Sequence, residues 1–180
     1  TDIDKSRIML DQNKKRIFDL PKIEYTLRTI NSLIKSCHEA LKASPRFRIH
    51  TFISTSPLHM KHKLNKTPEQ VLDAIKESVT YARNFTDDVE WSCEDGTRTD
   101  IDYMCKSVEL AISCGAKTIN IPDTVGYNIP HQFGETMREL IERIPNSDKA
   151  IFSAHCHNDL GLAPFKTAES ELETARPKSL

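Results

Sequence analysis

Two histidines, His155 and His157, follow the largely apolar run 150–154 in a His-x-His pattern. Because side chains two residues apart on a β-strand point the same way, both imidazoles are expected on one side of a strand. Imidazole nitrogens bind zinc, manganese or iron, and the adjacent Asn158 and Asp159 could add oxygen ligands or supporting hydrogen bonds. A third protein ligand, usually a carboxylate, must then come from another part of the fold. The alternative is that one histidine packs in the interior and the other is solvated.

Alternating strands and helices would carry these histidines to the edge of a sheet. Apolar residues at steps of three and four predict amphipathic helices that begin near Pro21, Thr67, Ile101 and Pro130. β-Branched and aromatic runs predict strands at residues 48–54, 89–94, 118–122 and from Ala150 onward. The Thr67–Gln70 stretch has the pattern of a capping box, and Gly115 is expected to end a helix. Four such alternations are typical of a parallel sheet with helical crossovers, so an α/β fold is predicted.

At 180 residues, the chain is long enough for one domain with a buried core. We assign residues 1–20 to an irregular N-terminal segment, residues 21–163 to the folded domain and residues 164–180 to a polar C-terminal tail. In the first helix, the predicted apolar face consists of Ile23, Leu27, Ile30, Ile34, Cys37 and Leu41. In the helix that begins at Pro130, the residues predicted to point inward are Phe133, Met137, Leu140 and Ile144.

Polar side chains gather at the carboxyl ends of the predicted strands, where α/β folds place their functional residues. They are Ser54, Thr55 and Ser56 after the first strand, Ser92 and Glu94 at the second, Asn120 and Thr124 at the third, and His155 and His157 at the fourth. Structural roles stay open for single members: Glu94 could cap the following loop, and Asn120 could satisfy buried backbone groups. Ser92 and Thr124 could be turn residues, and His50 could be a core histidine. The convergence of four strands favours a functional rim.

Composition excludes several classes of function. The 25 basic and 26 acidic residues nearly balance, which argues against a protein that binds nucleic acid or a membrane surface through a basic face. No run approaches the ~20 apolar residues of a membrane span, and the N-terminal residues lack the apolar core of a signal peptide. We therefore expect a cytoplasmic protein, or one in a plastid or other organelle.

Five cysteines are scattered without CxxC spacing, and an odd number cannot pair completely. They are predicted to be reduced thiols. Cys93 and Cys156 lie near strand ends, where packing is the expected role and reactivity the alternative.

Four segments, residues 48–60, 81–95, 118–127 and 153–163, closely resemble the 2-isopropylmalate synthase family. Their His-x-His-Asn-Asp and Asn-x-Pro-Asp-Thr-Val-Gly motifs are shared with a wider group of metal-dependent TIM-barrel enzymes, which includes homocitrate synthases, citramalate synthases and hydroxymethylglutaryl-CoA lyases. The stretch His-Thr-Phe-Ile-Ser-Thr-Ser-Pro is typical of the isopropylmalate branch. The resemblance implies a partial (β/α)8 TIM barrel, with about four consecutive parallel βα units and an N-terminal helix.

The same resemblance implies a Claisen-type condensation of acetyl-CoA with 2-oxoisovalerate (3-methyl-2-oxobutanoate), which gives 2-isopropylmalate and CoA in leucine biosynthesis. A divalent metal, Mn, Mg or Zn, would hold the 2-oxo acid and polarise its keto group. By matching position, His155 and His157 resemble the metal ligands, and Glu94 resembles a catalytic carboxylate beside the 2-oxo acid. The residues implied to bind substrate are His50, Ser92, Asn120 and Thr124. Full-length members of the family are expected to be homodimers.

Two parts of the family pattern are missing. Family members begin with a strand that ends in Leu-Arg-Asp-Gly and supplies a metal-binding aspartate, whereas Leu27-Arg28-Thr29 has threonine at that position. After Ala163, the sequence lacks the next strand and its Gly-rich loop. We expect a segment truncated at both ends, with little or no synthase activity by itself, because two histidines without a carboxylate bind a metal weakly. The alternatives are a homocitrate or citramalate synthase and a catalytically inactive remnant.

Overall fold

The computed structural model describes residues 22–174, and the side chains of residues 30–173. Its main elements are α1 (Lys22–Leu41), β1 (Ile49–Ser54), α2 (Pro68–Arg83), β2 (Val89–Glu94), α3 (Ile101–Ser113), β3 (Thr118–Asp123), α4 (Pro130–Arg143), β4 (Ile151–Cys156) and α5 (Ala163–Thr174). A short helical turn, Pro57–His59, continues as a π-helical turn, Met60–Leu64. The predicted irregular segment 1–20, the Thr29 side chain and the last residues of the predicted tail, 175–180, lie outside the described residues.

Local sequence signals explain where these helices begin and end. At the start of α2, Thr67 Oγ1 accepts a hydrogen bond from the Gln70 N–H at 3.3 Å, and Gln70 Oε1 accepts one from the Thr67 N–H at 2.9 Å. This reciprocal pair confirms the predicted capping box. After α3, Gly115 has a φ of +106°, a conformation that favours glycine and confirms the predicted end of that helix.

The four strands form one parallel sheet in the order β1-β2-β3-β4. The order follows the chain without reversal, which differs from doubly wound sheets, where the order reverses at a switch point. The predicted strands and their parallel arrangement are confirmed. Each of the two outer strands pairs with one other strand among the described residues.

The two faces of the sheet differ sharply. One face packs against helices and carries Trp91, Cys93, Ile119 and Ile121, all fully buried. The opposite face, which we call the open face, carries side chains that the strand register places together: His50, Phe52, Ser54, Glu90, Ser92, Glu94, Thr118, Asn120, Pro122, Ile151, Ser153 and His155. Phe52 is 63% exposed on this face.

The hydrophobic core fills the space between the sheet and the helices. As predicted, Phe133, Met137, Leu140 and Ile144 of the α4 segment are buried there. In α1, the side chains of Ile23 and Leu27 lie outside the described residues, and among the described members of the predicted apolar face Ile34 is buried and Ile30 partly buried. By contrast, Cys37 and Leu41 are exposed. That part of the prediction is wrong because α1 packs against the rest of the fold over a narrower stripe than its apolar residues occupy.

Residues 163–174 depart from the predicted polar tail, because they form helix α5. The buried residues of this helix are Lys166, Ser170 and Glu173, whereas Phe165 and Leu172 are each 63% exposed. The inward face of α5 is therefore polar. Its buried residues recur at the helical steps of four and three, but a search for apolar residues at that spacing does not find them because they are polar. No helix in the described part of the chain is long and apolar enough to span a membrane.

All five cysteines lie in the described residues and none is in a disulfide, as predicted. Cys93 is fully buried, and burial raises the pKa of its thiol to about 12, which confirms packing as its role.

Candidate active site

His155 and His157 present their imidazoles side by side at the carboxyl end of β4. Their ring centroids are 5.3 Å apart, with an angle of 41° between the ring planes. Both residues are exposed, so neither ring is packed in the interior. His155 pairs with Pro122 in the β3–β4 register, whereas His157 follows the last residue of the strand. The arrangement agrees with the shared side expected from the two-residue spacing.

Cys156, between the two histidines in sequence, belongs to the opposite face of the sheet. Its side chain packs against the core, and partial burial raises the pKa of its thiol in spite of the nearby Thr167 and Lys166. The thiol is therefore protonated at neutral pH.

The two residues after the pair have contacts of their own. Asn158 Oδ1 accepts a hydrogen bond from the N–H of Ala163, at the start of α5. Asp159 lies against Gly126 of the loop that follows β3. Through these contacts, the side chains of Asn158 and Asp159 hold the loop after β4 in place beside the two histidines.

Ser92 joins three strands across the open face. Its Oγ accepts a hydrogen bond from Asn120 Nδ2 at 2.8 Å and lies 2.6 Å from His50 Nε2, within hydrogen-bond distance. Ser92 and Asn120 are nearly buried, whereas the His50 side chain is 44% exposed. His50 is therefore not a core histidine. The Asn120 side chain bonds to the Ser92 side chain and not to a buried backbone group.

Glu94 lies two residues beyond Ser92 on the same face and is held by two donors. Ser54 Oγ donates to Glu94 Oε2 at 2.7 Å, and the Lys63 ammonium forms an ion pair with Oε1. Partial burial by itself raises the pKa of the Glu94 carboxyl, but the hydrogen bonds from Lys63 and Ser54 outweigh it and hold the pKa below its usual value. Glu94 is thus ionised at neutral pH, and its contacts are not those of a helix cap.

Thr124 secures the loop that follows Glu94. Its Oγ1 accepts a hydrogen bond from the backbone N–H of Asp95 at 2.9 Å. The predicted turn role and a substrate-binding role are compatible, because a hydroxyl that accepts one bond can still donate its own hydrogen. The loops after β2 and β3 also line a cleft of about 440 Å³ that includes Arg98 and Tyr127.

Sequence reasoning missed two residues of the helical turns after β1. Lys63 reaches Glu94, and His59 Nδ1 lies 3.9 Å from Glu94 Oε1 and 3.6 Å from Asp95 Oδ2. His59 and Lys63 are four residues apart, a spacing that places side chains on one helical face. That spacing was the available signal, but the surrounding residues showed no periodicity that predicted a helix.

The structure thus brings the predicted residues together in groups. Cross-strand hydrogen bonds connect His50, Ser92 and Asn120, while Glu94 and Thr124 are held at adjacent loops and the two imidazoles pair with each other. Among residues 30–173, no three His, Cys, Asp or Glu side chains are grouped so that they could hold a metal ion. The two imidazoles fit a metal as a partial ligand set, since both are exposed and adjacent. Their roles as ligands stay a prediction.

A family model described as HMGL-like matches residues 9–172, which is most of the chain. The chain belongs to the HMGL-like family. Among curated relatives, "2-isopropylmalate synthase" of Bradyrhizobium diazoefficiens is 61% identical over 130 residues, which are 72% of this chain and 25% of that protein. The protein of the same name from Ruthia magnifica subsp. Calyptogena magnifica is 56% identical over 149 residues, 83% of this chain and 29% of that protein. This HMGL-like chain therefore spans about a quarter of the length of these relatives.

Two solved structures share the fold of this HMGL-like chain although their sequences are 20% identical to it or less. Hydroxymethylglutaryl-CoA lyase from Pseudomonas aeruginosa matches with a TM-score of 0.60 and 18% identity, over 75% of this chain and 46% of that chain. The HMG-CoA lyase from Brucella melitensis matches with a TM-score of 0.61 and 20% identity, over 77% and 50%. Both neighbours are TIM barrels, so the predicted partial barrel is confirmed.

Proposed function

We propose that this chain forms part of the active site of a 2-isopropylmalate synthase, which condenses acetyl-CoA with 2-oxoisovalerate in leucine biosynthesis. The observation that supports this most is the 61% identity, over 130 residues, to a protein of that name. HMGL-like enzymes generally depend on a divalent metal and use an acyl-CoA. The adjacent, exposed imidazoles of His155 and His157 supply nitrogen atoms suited to the metal.

His155 and His157 would hold the metal, which we propose to be Mn, Mg or Zn. Both imidazoles are exposed, so an ion can reach them from solvent, and their adjacent rings allow binding through two nitrogens. The bound cation would act as a Lewis acid on the keto group of the 2-oxo acid. The remaining coordination positions would go to substrate oxygens, water or a further protein ligand.

Glu94 is the proposed catalytic residue. Because Lys63 and Ser54 keep its carboxylate ionised, Glu94 can accept a hydrogen bond beside the 2-oxo acid. The hydroxyl of Thr124 would donate to the substrate carboxylate. The substrate-binding wall would consist of His50, Ser92 and Asn120, whose hydrogen bonds fix their orientation before substrate arrives.

The proposal also covers the localisation, the oligomeric state and the partners of the enzyme. We propose a cytoplasmic homodimer for the full-length form, as the resemblance implies. The proposed partners are 2-oxoisovalerate and acetyl-CoA, and the nearly balanced charge argues against nucleic acid or a membrane surface as a partner.

Calorimetric titration with Mn²⁺ and Zn²⁺ tests the metal site in the 180-residue chain. The expected result is binding heat that His155→Ala or His157→Ala abolishes. His62→Ala is the matched control, because His62 is an exposed histidine of the π-helical turn, and this variant should bind as the unmodified chain does. Metal binding that survives both site variants would overturn the proposed ligands.

The acceptor is tested on the Mn²⁺-loaded chain by the paramagnetic broadening of ligand NMR signals. We expect broadening of 2-oxoisovalerate signals at lower concentrations than those of 2-oxoglutarate or pyruvate. Preferential broadening of 2-oxoglutarate would favour a homocitrate synthase, and preferential broadening of pyruvate would favour a citramalate synthase. Either result would overturn the proposed substrate while leaving the metal site in place.

A further inference from the structure

Lys166 is a fully buried lysine that links two loops at the carboxyl end of the sheet. Its Nζ donates to Asp123 Oδ2 at 2.6 Å, to the carbonyl of His157 at 3.1 Å and to the carbonyl of Gly126 at 3.2 Å. The side chains of Lys166 and Asp123 are both 0% exposed. An ammonium group has three hydrogens, and here each has an acceptor.

His157 depends on this pair because it lies beyond the strand. His155 is inside β4 and is held by the ladder opposite Pro122, but β4 ends at Cys156. The backbone N–H of His157 donates to the Asp123 carbonyl at 3.4 Å, and its carbonyl accepts from Lys166. The His157 N–H is therefore held by the main chain of β3, and its carbonyl is held by the Lys166 ammonium.

The Asp123 carboxylate also accepts hydrogen bonds from the loops after β2 and β3. Its Oδ1 accepts from Thr97 Oγ1 at 3.0 Å, in the loop after β2, and its Oδ2 also accepts from the Asn128 N–H at 3.2 Å. Thus a single carboxylate ties the loops after β2 and β3 to the lysine that holds His157. A displacement of Lys166 would be transmitted to His157 first, because that contact is direct.

A buried ion pair is weak evidence for stability, since desolvation of both charges opposes their attraction and apolar replacements of similar volume are often tolerated. The geometric consequence is better defined: Asp123 Oδ2 anchors the Lys166 ammonium, and that ammonium fixes the peptide group on the carbonyl side of the His157 Cα, while the Asp123 main-chain carbonyl bonds the N–H side. That constraint sets the direction of the His157 side chain relative to His155.

We propose that Lys166 is a positioning residue for His157, which keeps its imidazole beside that of His155. The consequence for metal binding rests on the proposed function. The positioning itself does not, because the arrangement of the two rings can be measured without metal.

The variants separate positioning from folding. Lys166→Met removes the ammonium but leaves the Asp123 charge buried, so this variant can fail to fold. In Asp123→Asn/Lys166→Met neither charge remains, and asparagine retains an oxygen for the Asn128 N–H. Lys149→Met is the control, because it makes the same substitution at an exposed lysine near the start of β4.

The first measurement uses histidine-labelled chain without metal. We expect a ring-to-ring NOE between His155 and His157 in the unmodified chain and in Lys149→Met, and its loss in the folded double variant. Hydrogen exchange of the His157 amide should become at least about tenfold faster in the double variant. Retention of the NOE and of the amide protection in the double variant would overturn the proposal.

The second measurement is metal affinity by calorimetry. A supporting residue outside the metal ligands typically changes affinity by about 10–100-fold, and we expect a loss of this size in the double variant and none in Lys149→Met. If the chain binds metal through its histidines and the double variant binds equally well, Lys166 has no positioning role. If the unmodified chain binds no metal, the proposed metal site fails, while the NOE and exchange data still decide the role of Lys166.

Discussion

The carboxylate of Asp159 lies where a Cβ atom on Gly126 would have to be. Gly126 also has a φ of +71°, a backbone conformation that L side chains rarely adopt. The contact brings the loop after β3 against the loop after β4, directly beside the two histidines. Glycine at this position is therefore favoured by the backbone conformation, and any larger residue would also displace the exposed Asp159 side chain.

Gly126→Ala should destabilise the chain more than Gly161→Ala. Gly161 has nearly the same φ, +70°, but a Cβ there would meet nothing within 4 Å. The left-handed conformation costs alanine about 1–2 kcal/mol at both positions, and displacing the exposed Asp159 side chain should add about 0.5–1.5 kcal/mol at Gly126. Urea unfolding of both variants measures the difference. Equal losses would contradict the overlap, whereas Asp159→Ala combined with Gly126→Ala should recover the extra loss.

Lys63→Met should raise the pKa of Glu94, because burial raises that pKa and Lys63 is the first of the groups that lower it. A carboxyl with a lowered folded-state pKa stabilises the fold above its unfolded pKa, and this contribution is lost as the pH falls through the folded pKa. Since the Lys63 side chain is 49% exposed, we expect a loss of only about 0.5–1 kcal/mol at pH 7 and less at pH 3. An NMR titration of the Glu94 carboxyl and urea unfolding at both pH values measure these effects.

Lys61→Met is the control for that experiment, because Lys61 is an exposed lysine in the same π-helical turn. The Glu94 pKa should stay at the value of the unmodified chain in this variant. An unchanged Glu94 pKa in Lys63→Met would show that the ion pair does not hold in solution.

Ser92→Ala should cost about 1–3 kcal/mol, because Asn120 is 6% exposed and its amide would lose a buried hydrogen-bond partner. Ser153→Ala is the comparison, since Ser153 is opposite Asn120 on the other neighbouring strand. We expect a change within about 0.5 kcal/mol there. Thermal and urea unfolding measure both. A Ser92→Ala loss no larger than that of Ser153→Ala would show that the bond to Asn120 contributes little.

Two phenylalanines test the contrast between the faces of the sheet. Phe133, a residue of α4, is fully buried in the core between the helices and the sheet, and Phe133→Ala should cost about 3–5 kcal/mol through lost burial and the cavity left behind. Phe52 is 63% exposed on the open face, and Phe52→Ala should change the free energy of unfolding by less than about 0.5 kcal/mol. A large loss in Phe52→Ala would mean that the open face is covered in solution.

Local and periodic signals in the sequence were sufficient for most elements and for the grouping of the site. The capping box at Thr67, the positive φ at Gly115 and the strand at β4 depend on neighbouring residues alone. The shared side of His155 and His157 follows from the two-residue period of a strand. The gathering of polar residues at one edge follows from parallel strands, whose carboxyl ends lie together.

Helix α5 shows what sequence periodicity could not provide. Its buried stripe is Lys166, Ser170 and Glu173, so hydrophobicity pointed to a polar tail. Lys166 is tolerated inside because Asp123 and two carbonyls, distant in sequence, surround its ammonium. The solvation of a charged side chain by such groups depends on tertiary contacts, which no local pattern records.

The sequence by itself determined the four strands, the helices α1 to α4 and the polar residue types at the carboxyl ends of the strands, because these depend on interactions over a few residues. Only the tertiary structure decided which of them touch. The bond from Asn120 to Ser92 requires the register of two strands, and the support of His157 by Lys166 requires the packing of α5. Register and packing result from burial summed over the whole sheet, so they become defined only when the chain folds.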